Sequence, residues 1–185
     1  MRIIAGKHRG RKLLTPKDDT VIRPTTDFTR EALFNILSSR VVDAEVLDLF
    51  GGTGALSLES VSRGAKRATV ADRAKESLTL IQKNAASMGE TLEIVAGDFD
   101  AVCRRLHGRR YDIVFLDPPY AMDVAPVLAC IERDDLLHAD GLVVYEHDKG
   151  APYIAKAPWC VTDERRYGRV ALTFIQKCSS LSDEN

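Results

Sequence analysis

The stretch EVLDLFGGTGALSLESVSRGAKRATVAD, residues 45–72, holds a complete supersecondary unit. EVLDLF (45–50), apolar at four of its six positions, reads as a strand. It runs into Gly51, Gly52 and Gly54, which permit a tight turn and a close approach of ligand to backbone. GALSLESVSRG (54–64) follows as a helix that stops at Gly64. RATVAD (67–72) is again strand-like. Strand, glycine turn, helix and strand in this order predict a βαβ unit with parallel strands.

The alternation continues outward from this unit. TLEIVAGD (91–98), DIVFLD (112–117) and GLVVYEHD (141–148) read as further strands. Residues 74–88, 99–107 and 123–136 read as helices; in the first, Ala74, Leu78, Ile81, Ala85 and Met88 recur at helical spacing. The expectation is an α/β fold with an open, doubly wound sheet. PWCVTDERRYGRVALTFIQK (158–177) differs, reading as two strands around a turn at Tyr167-Gly168, an antiparallel hairpin at the sheet edge. SSLSDEN at the end reads as a tail. Upstream, IRPTTDFTREALFNIL (22–37) predicts a helix capped by Thr25, Thr26 or Asp27, with Phe28, Ala32, Leu33, Ile36 and Leu37 on its apolar face. The expected division is a basic arm and capping helix over 1–40, one main domain over 41–178 and a tail over 179–185.

Composition narrows the function classes. The 185 residues suit one domain with a full core. No apolar run approaches the roughly 20 residues of a membrane span. MRIIAGKHRGRKLL lacks an apolar signal core, so a cytoplasmic protein is expected. Cys103, Cys130, Cys160 and Cys178 form no C-x-x-C pair; four reduced thiols and no metal site are expected. The four histidines do not cluster and no Ser/His/Asp set is visible. The net charge of −1 excludes a generic polyanion binder. Residues 1–17 nevertheless carry Arg2, Lys7, Arg9, Arg11, Lys12 and Lys17 without an acid, a local patch suited to phosphates.

Acids follow the first three strands. A dinucleotide fingerprint starting at Gly52 needs glycine at 57, where this chain has Ser57. Asp48, in the strand before the glycines, would repel a pyrophosphate and attract a cation. Asp72 ends the second strand, where a carboxylate accepts from ribose hydroxyls. Asp98 ends the third, where it accepts from an exocyclic amine or caps a helix. An ammonium, a ribose diol and an adenine amine in one ligand satisfy all three; S-adenosylmethionine has those groups.

DPPY (117–120) ends the fourth strand. The Asp117 carboxylate and the Pro118 carbonyl offer two acceptors to one amine. Pro118 and Pro119 fix φ near −65° and so fix that carbonyl. Tyr120 offers a face for a base.

At these residues the chain is similar to a known family. DLFGGTG resembles the D-x-F-x-G-x-G cofactor motif of class I methyltransferases, and DPPY the motif of their amino-methylating members. MRIIAGKHRGRKL, RPTTDFTREALFNIL, SLESVSRGA and DPPY, in this order, resemble the bacterial RsmD family from Arg2 to about Lys177. The resemblance implies a Rossmann-like class I methyltransferase fold, with a seven-stranded, mostly parallel sheet, an antiparallel C-terminal hairpin and a small basic N-terminal extension. It implies methyl transfer from S-adenosylmethionine, leaving S-adenosylhomocysteine, to the N2 amine of one guanine in 16S rRNA, free or within a 30S subunit or assembly intermediate, by a monomer without metal. Asp48, Phe50, Gly51, Gly52 and Gly54 would hold the methionine end, Asp72 the ribose, and Asp98 with the backbone at Phe99 the adenine. Asp117, Pro118, Pro119 and Tyr120 would be catalytic, and Lys7, Arg9, Arg11 and Lys12 would contact RNA. Gly51 stands where the family more often has alanine, a departure expected to be harmless, and Asp72 where it usually has glutamate. Alternatives sharing the motif are a DNA adenine-N6 methylase, which 185 residues leave little room for, a methyltransferase of another RNA, and a non-catalytic RNA-binding module.

Overall fold

The computed structural model describes residues 1–16, 26–119 and 122–178. Arg23, Pro24 and Thr25 before the first helix, Lys17, Tyr120 and the tail lie outside them. Seven strands are present: β1 (Glu45–Asp48), β2 (Arg67–Asp72), β3 (Glu93–Ala96), β4 (Tyr111–Leu116), β5 (Leu137–Asp148), β6 (Trp159–Tyr167) and β7 (Val170–Lys177). The helices are α1 (Asp27–Leu37), α2 (Ala55–Ser62), α3 (Lys75–Ser87), α4 (Phe99–Arg105) and α5 (Ala125–Arg133). None is long and apolar enough to cross a membrane.

The strands form one sheet in the order β3-β2-β1-β4-β5-β7-β6. β3, β2, β1, β4 and β5 are parallel, and β7 and β6 close the edge antiparallel. This is the Rossmann-like, seven-stranded, mostly parallel sheet with an antiparallel C-terminal hairpin anticipated above. Pleating sends alternate residues to opposite cores. Val46, Ile113, Phe115, Val144 and Phe174 meet α1, α2 and α3; Leu47, Val114, Leu116, Val143 and Ile175 meet α4 and α5. Both faces being covered explains why the strands read as continuous apolar runs. From β1 the chain builds outward through β2 and β3, then returns to β4 on the other side. Strand order therefore reverses between β1 and β4, and a crevice opens beyond their carboxyl ends.

Two expectations need correction here. The buried face of α1 is Thr29, Arg30, Leu33, Phe34 and Leu37; Phe28 and Ile36, expected inside, are exposed. Polar partners turn the helix. The Arg30 guanidinium donates to the Arg2 carbonyl and to Asp27 Oδ1 (2.9 Å) and lies 3.8 Å from Glu59, so Arg30 rather than Phe28 faces inward. Second, Cys160 and Cys178 are joined in a disulfide, not reduced. Pairing of β6 with β7 puts Cys160 opposite Gln176, and Cys178 lies just beyond, with 5.2 Å between the two Cα atoms. That separation suits a bridge, and an 18-residue spacing gives no sign of it in the sequence. Cys103 and Cys130 are buried free thiols.

Residues 1–16 form a small hairpin, with Arg2 bridged to Lys12 and Ile3 and Leu13 buried. It docks on α2 through backbone groups. Ile4 and Ala5 N–H donate to the two Glu59 oxygens (2.8 and 3.0 Å), and Lys7 N–H to the Ser62 carbonyl (2.9 Å). Gly6 makes this approach possible: a Cβ there would stand 1.8 Å from the Ser62 carbonyl oxygen.

Candidate active site

β1 delivers Asp48 to the floor of the crevice, fully buried on the α2 side. Its carboxylate accepts from Phe50 N–H and from the Ser57 hydroxyl, each at 3.3 Å. Burial pushes this carboxyl up to about 7, with the Asp72 charge adding to the shift and the two hydrogen bonds opposing it. Ser57, which spoils the dinucleotide fingerprint, thus serves Asp48. The glycine turn continues from there. Gly52 (φ +54°) and Gly54 (φ +79°) take left-handed conformations, and the Cβ direction of Gly52 points into open space. Gly51 is different. A Cβ there would lie 2.4 Å from Val70 Cγ2 and 3.0 Å from Ile81 Cδ1, so the surroundings are packed around a glycine. The departure expected to be harmless is built into the local packing.

Asp72 ends β2 beside the turn. Its Oδ2 accepts from Gly52 N–H (2.9 Å) and its Oδ1 from Ala74 N–H (2.8 Å). The carboxylate fastens the glycine turn while keeping further lone pairs for a diol. Asp98, after β3, caps α4 by accepting from Ala101 N–H (2.9 Å). The cap and the adenine roles are compatible, since one oxygen makes the cap. Phe50 and Phe99 stand with ring centroids 6.4 Å apart, on the β1–β3 side of the crevice. The structure thus brings Asp48, Phe50, Gly51, Gly52, Gly54, Asp72, Asp98 and Phe99 to one sheet edge.

Across the crevice, β4 ends at Leu116 and hands the chain to Asp117, Pro118 and Pro119. Asp48 pairs with Phe115, so Asp117 stands two residues beyond the partner of Asp48 on the adjacent strand. The Pro119 carbonyl accepts from Met122 N–H (3.2 Å). The role assigned to Tyr120 lies outside the described residues. Among the described residues, no cluster of three His, Cys, Asp or Glu side chains could hold a metal ion.

The basic arm is less uniform than its sequence. Lys7 pairs with Glu90 (2.6 Å), and so does His8 Nε2 (2.5 Å), drawing both onto the loop after α3. Together they hold the Glu90 carboxyl below its ordinary range against its partial burial. Arg9, Arg11 and Lys12 are exposed. Three residues that sequence reasoning missed hold the arm to the site. Glu59 grips its backbone. Ser62 Oγ donates to the Ala5 carbonyl (2.6 Å). Asn84 Nδ2 donates to the Leu14 and Thr53 carbonyls (3.1 and 2.9 Å), linking the arm to the glycine turn. Glu59 left a signal: it is the one acid in ALSLESVS, a helix otherwise without charge and buried from Leu56 to Ser62.

The family profile described as "conserved hypothetical protein 95" matches residues 1–176. "Ribosomal RNA small subunit methyltransferase D" of Escherichia coli K12 is 35% identical over 182 residues, covering 96% of this chain and 90% of that protein. Among solved structures, Escherichia coli yhhF superposes with a TM-score of 0.84 at 32% identity, covering 96% and 98% of the two chains. A hypothetical protein of Thermus thermophilus gives 0.83 at 32% identity, covering 95% and 99%. With profile, sequence and architecture agreeing over nearly its whole length, the chain belongs to the RsmD family.

Proposed function

We propose that the protein transfers a methyl group from S-adenosylmethionine to the N2 amine of a guanine in 16S rRNA. The observation that carries this reading is the meeting of two devices across the strand-order reversal. An acid-lined glycine turn ends β1, and a carboxylate followed by two prolines ends the adjacent β4. The name carried by the 35% identical relative favours ribosomal RNA as the substrate class.

The residues present fit the cofactor. Asp48 is a buried carboxylate whose charge lacks a cationic partner among the described residues, and a ligand ammonium beside it would supply one. The open, left-handed Gly52 leaves room for the chain of the ligand. Asp72 offers lone pairs to a ribose, and Asp98 with Phe99 lies where an adenine edge would fall. When bound, the cofactor supplies a methyl group activated by its sulfonium.

The work left to this chain is positioning. An exocyclic amine is a poor nucleophile because its lone pair is conjugated into the ring. Asp117 and the Pro118 carbonyl each accept one N–H and aim the nitrogen lone pair at the methyl. Charge on nitrogen rises as the bond forms, and the fixed Asp117 carboxylate stabilises it without reorganising. Tyr120 stacks on the base. Arg9, Arg11 and Lys12 hold the RNA backbone.

Incubation with tritiated S-adenosylmethionine and undermethylated 30S subunits, followed by mapping of the labelled base, tests this. Label on a guanine N2 of 16S rRNA is the expected result. Label on plasmid DNA instead, or on no nucleic acid, contradicts it.

A further inference from the structure

Phe28, turned away from the core by Arg30, stands at 67% exposure in the first turn of α1. A single exposed aromatic is ordinary on a soluble protein. This one has built surroundings. Its ring meets the edge of Tyr167, with centroids 5.9 Å apart and planes at 78°. Tyr167 is the last residue of β6, and Gly168-Arg169 forms the hairpin tip, where Tyr167 pairs with Val170 and Gly168 adopts φ +60°. Arg165, two residues earlier, shares the Tyr167 face.

The tip carries four cations, Lys149, Arg165, Arg166 and Arg169, against the acids Asp148, Asp163 and Glu164. Arg165 is paired with Asp163 and Arg166 with Glu164, each at 2.9 Å, yet both guanidinium side chains remain more than half exposed. Arg169 and Lys149 have no ion-pair partner among the described residues, and Lys149 N–H donates to the Arg169 carbonyl (2.9 Å), so the two lie together.

Its place in the sheet gives the patch meaning. Val170 pairs with Asp148 at the carboxyl end of β5, so the tip shares the edge that carries Asp117. β4, β5, β7 and β6 are successive neighbours, which sets the tip roughly 10–14 Å to the side of β4 at about 4.8 Å per strand. It lies on the side away from Asp72 and Asp98.

We propose that Phe28 and Tyr167, with Arg169 and Lys149, form a second RNA-contact surface. An unpaired base near the target stacks on the aromatic pair, and the two cations meet its flanking phosphates. The chemistry is that of single-strand readers, in which aromatic faces carry bases and cations track the backbone. The surface deepens the proposed rRNA methylation by extending the grip of the basic arm, whose Arg2 lies 3.7 Å from Asp27 in the same first turn of α1, toward the β6–β7 tip.

The test is direct binding of a fluorescein-labelled, mixed-sequence single-stranded RNA nonamer, read by anisotropy, with methyl transfer measured separately. Phe28→Ala, at an exposed site that leaves the core intact, is expected to raise Kd roughly 5- to 100-fold, and Phe28→Trp to restore it. Arg169→Ala should lower the slope of log Kd against log salt by about 1. An unchanged Kd in Phe28→Ala, or a wild-type protein that does not bind the RNA, overturns the proposal. Platform-dependent RNA binding with no methyl transfer to rRNA leaves this surface standing and removes the proposed function instead.

Discussion

Asp48 must be charged to hold an ammonium, and its burial resists that charge. The folded protein without ligand binds this proton more tightly than the unfolded chain, so the stability it contributes is present below about 3.8 and lost as pH rises toward about 7. Asp48→Asn should therefore gain stability relative to the wild type as pH rises through this window, by a few kcal/mol at most, in urea titrations from pH 4 to 8. Cofactor affinity should move the other way in the wild type, rising with pH through about 7, and should be lost in Asp48→Asn. Glu59 is the second telling residue. Its two oxygens hold Ile4, Ala5 and Arg63, and it lies beside the buried Arg30. Burial already lowers the Arg30 pKa, against the nearby Glu59 and Asp27 charges. Glu59→Ala would leave Arg30 short of a counter-charge, at a cost of about 3–5 kcal/mol, and should release the arm to limited proteolysis before residue 16. Both residues stood in quoted motifs, Asp48 in DLFGGTG and Glu59 in SLESVSRGA, but only Asp48 carried a role there. Glu59 could be understood only once the arm was seen folded onto it.

Elements were more legible than their faces. Every expected strand and helix appears within a few residues of its place, because doubly covered strands and glycine-ended helices have strong local signatures. The face of α1 was misjudged because hydrophobicity alone favoured Phe28, while partners distant in sequence drew Arg30 inward. The turn after β1 hid a constraint of space. Gly51→Ala would drive a Cβ toward Val70, a β-branched side chain with little freedom, and should lower stability by about 1–3 kcal/mol. A fall of several degrees in Tm with weakened cofactor binding is expected, whereas an unchanged Tm would mean that the turn has slack. The hairpin hid its disulfide, since the pairing of β6 with β7 brings together cysteines that no motif connects. Closing a loop of this length removes about 3 kcal/mol of unfolded-chain entropy. Cys160→Ser should therefore melt about 6–12 °C lower than the oxidised wild type, and reductant should affect the wild type alone.

At the scale of the molecule, a net charge of −1 conceals separated charge. Exposed cations lie on the arm and at the β6–β7 tip, and Asp48, Asp72 and Asp98 line the β1–β3 side of the crevice. RNA binding should weaken with salt although the protein as a whole is nearly neutral. Arg11→Ala and Lys12→Ala should each reduce the salt slope by about 1, while Lys7→Ala, whose ammonium is held by Glu90, should reduce it less. The overall topology was legible because alternation of strands and helices admits few arrangements. The choice of substrate was not, because the proposed role of DPPY concerns an exocyclic nitrogen and leaves the base open. In the proposed reaction Asp117 and Pro118 act on that nitrogen and leave cofactor binding to the far side of the crevice. Single-turnover transfer to 30S subunits by Asp117→Ala, beside calorimetric titration with S-adenosylmethionine, tests it most directly. Unchanged cofactor affinity with methyl transfer slower by at least about 100-fold is expected; transfer at the wild-type rate would rule out the role given to Asp117.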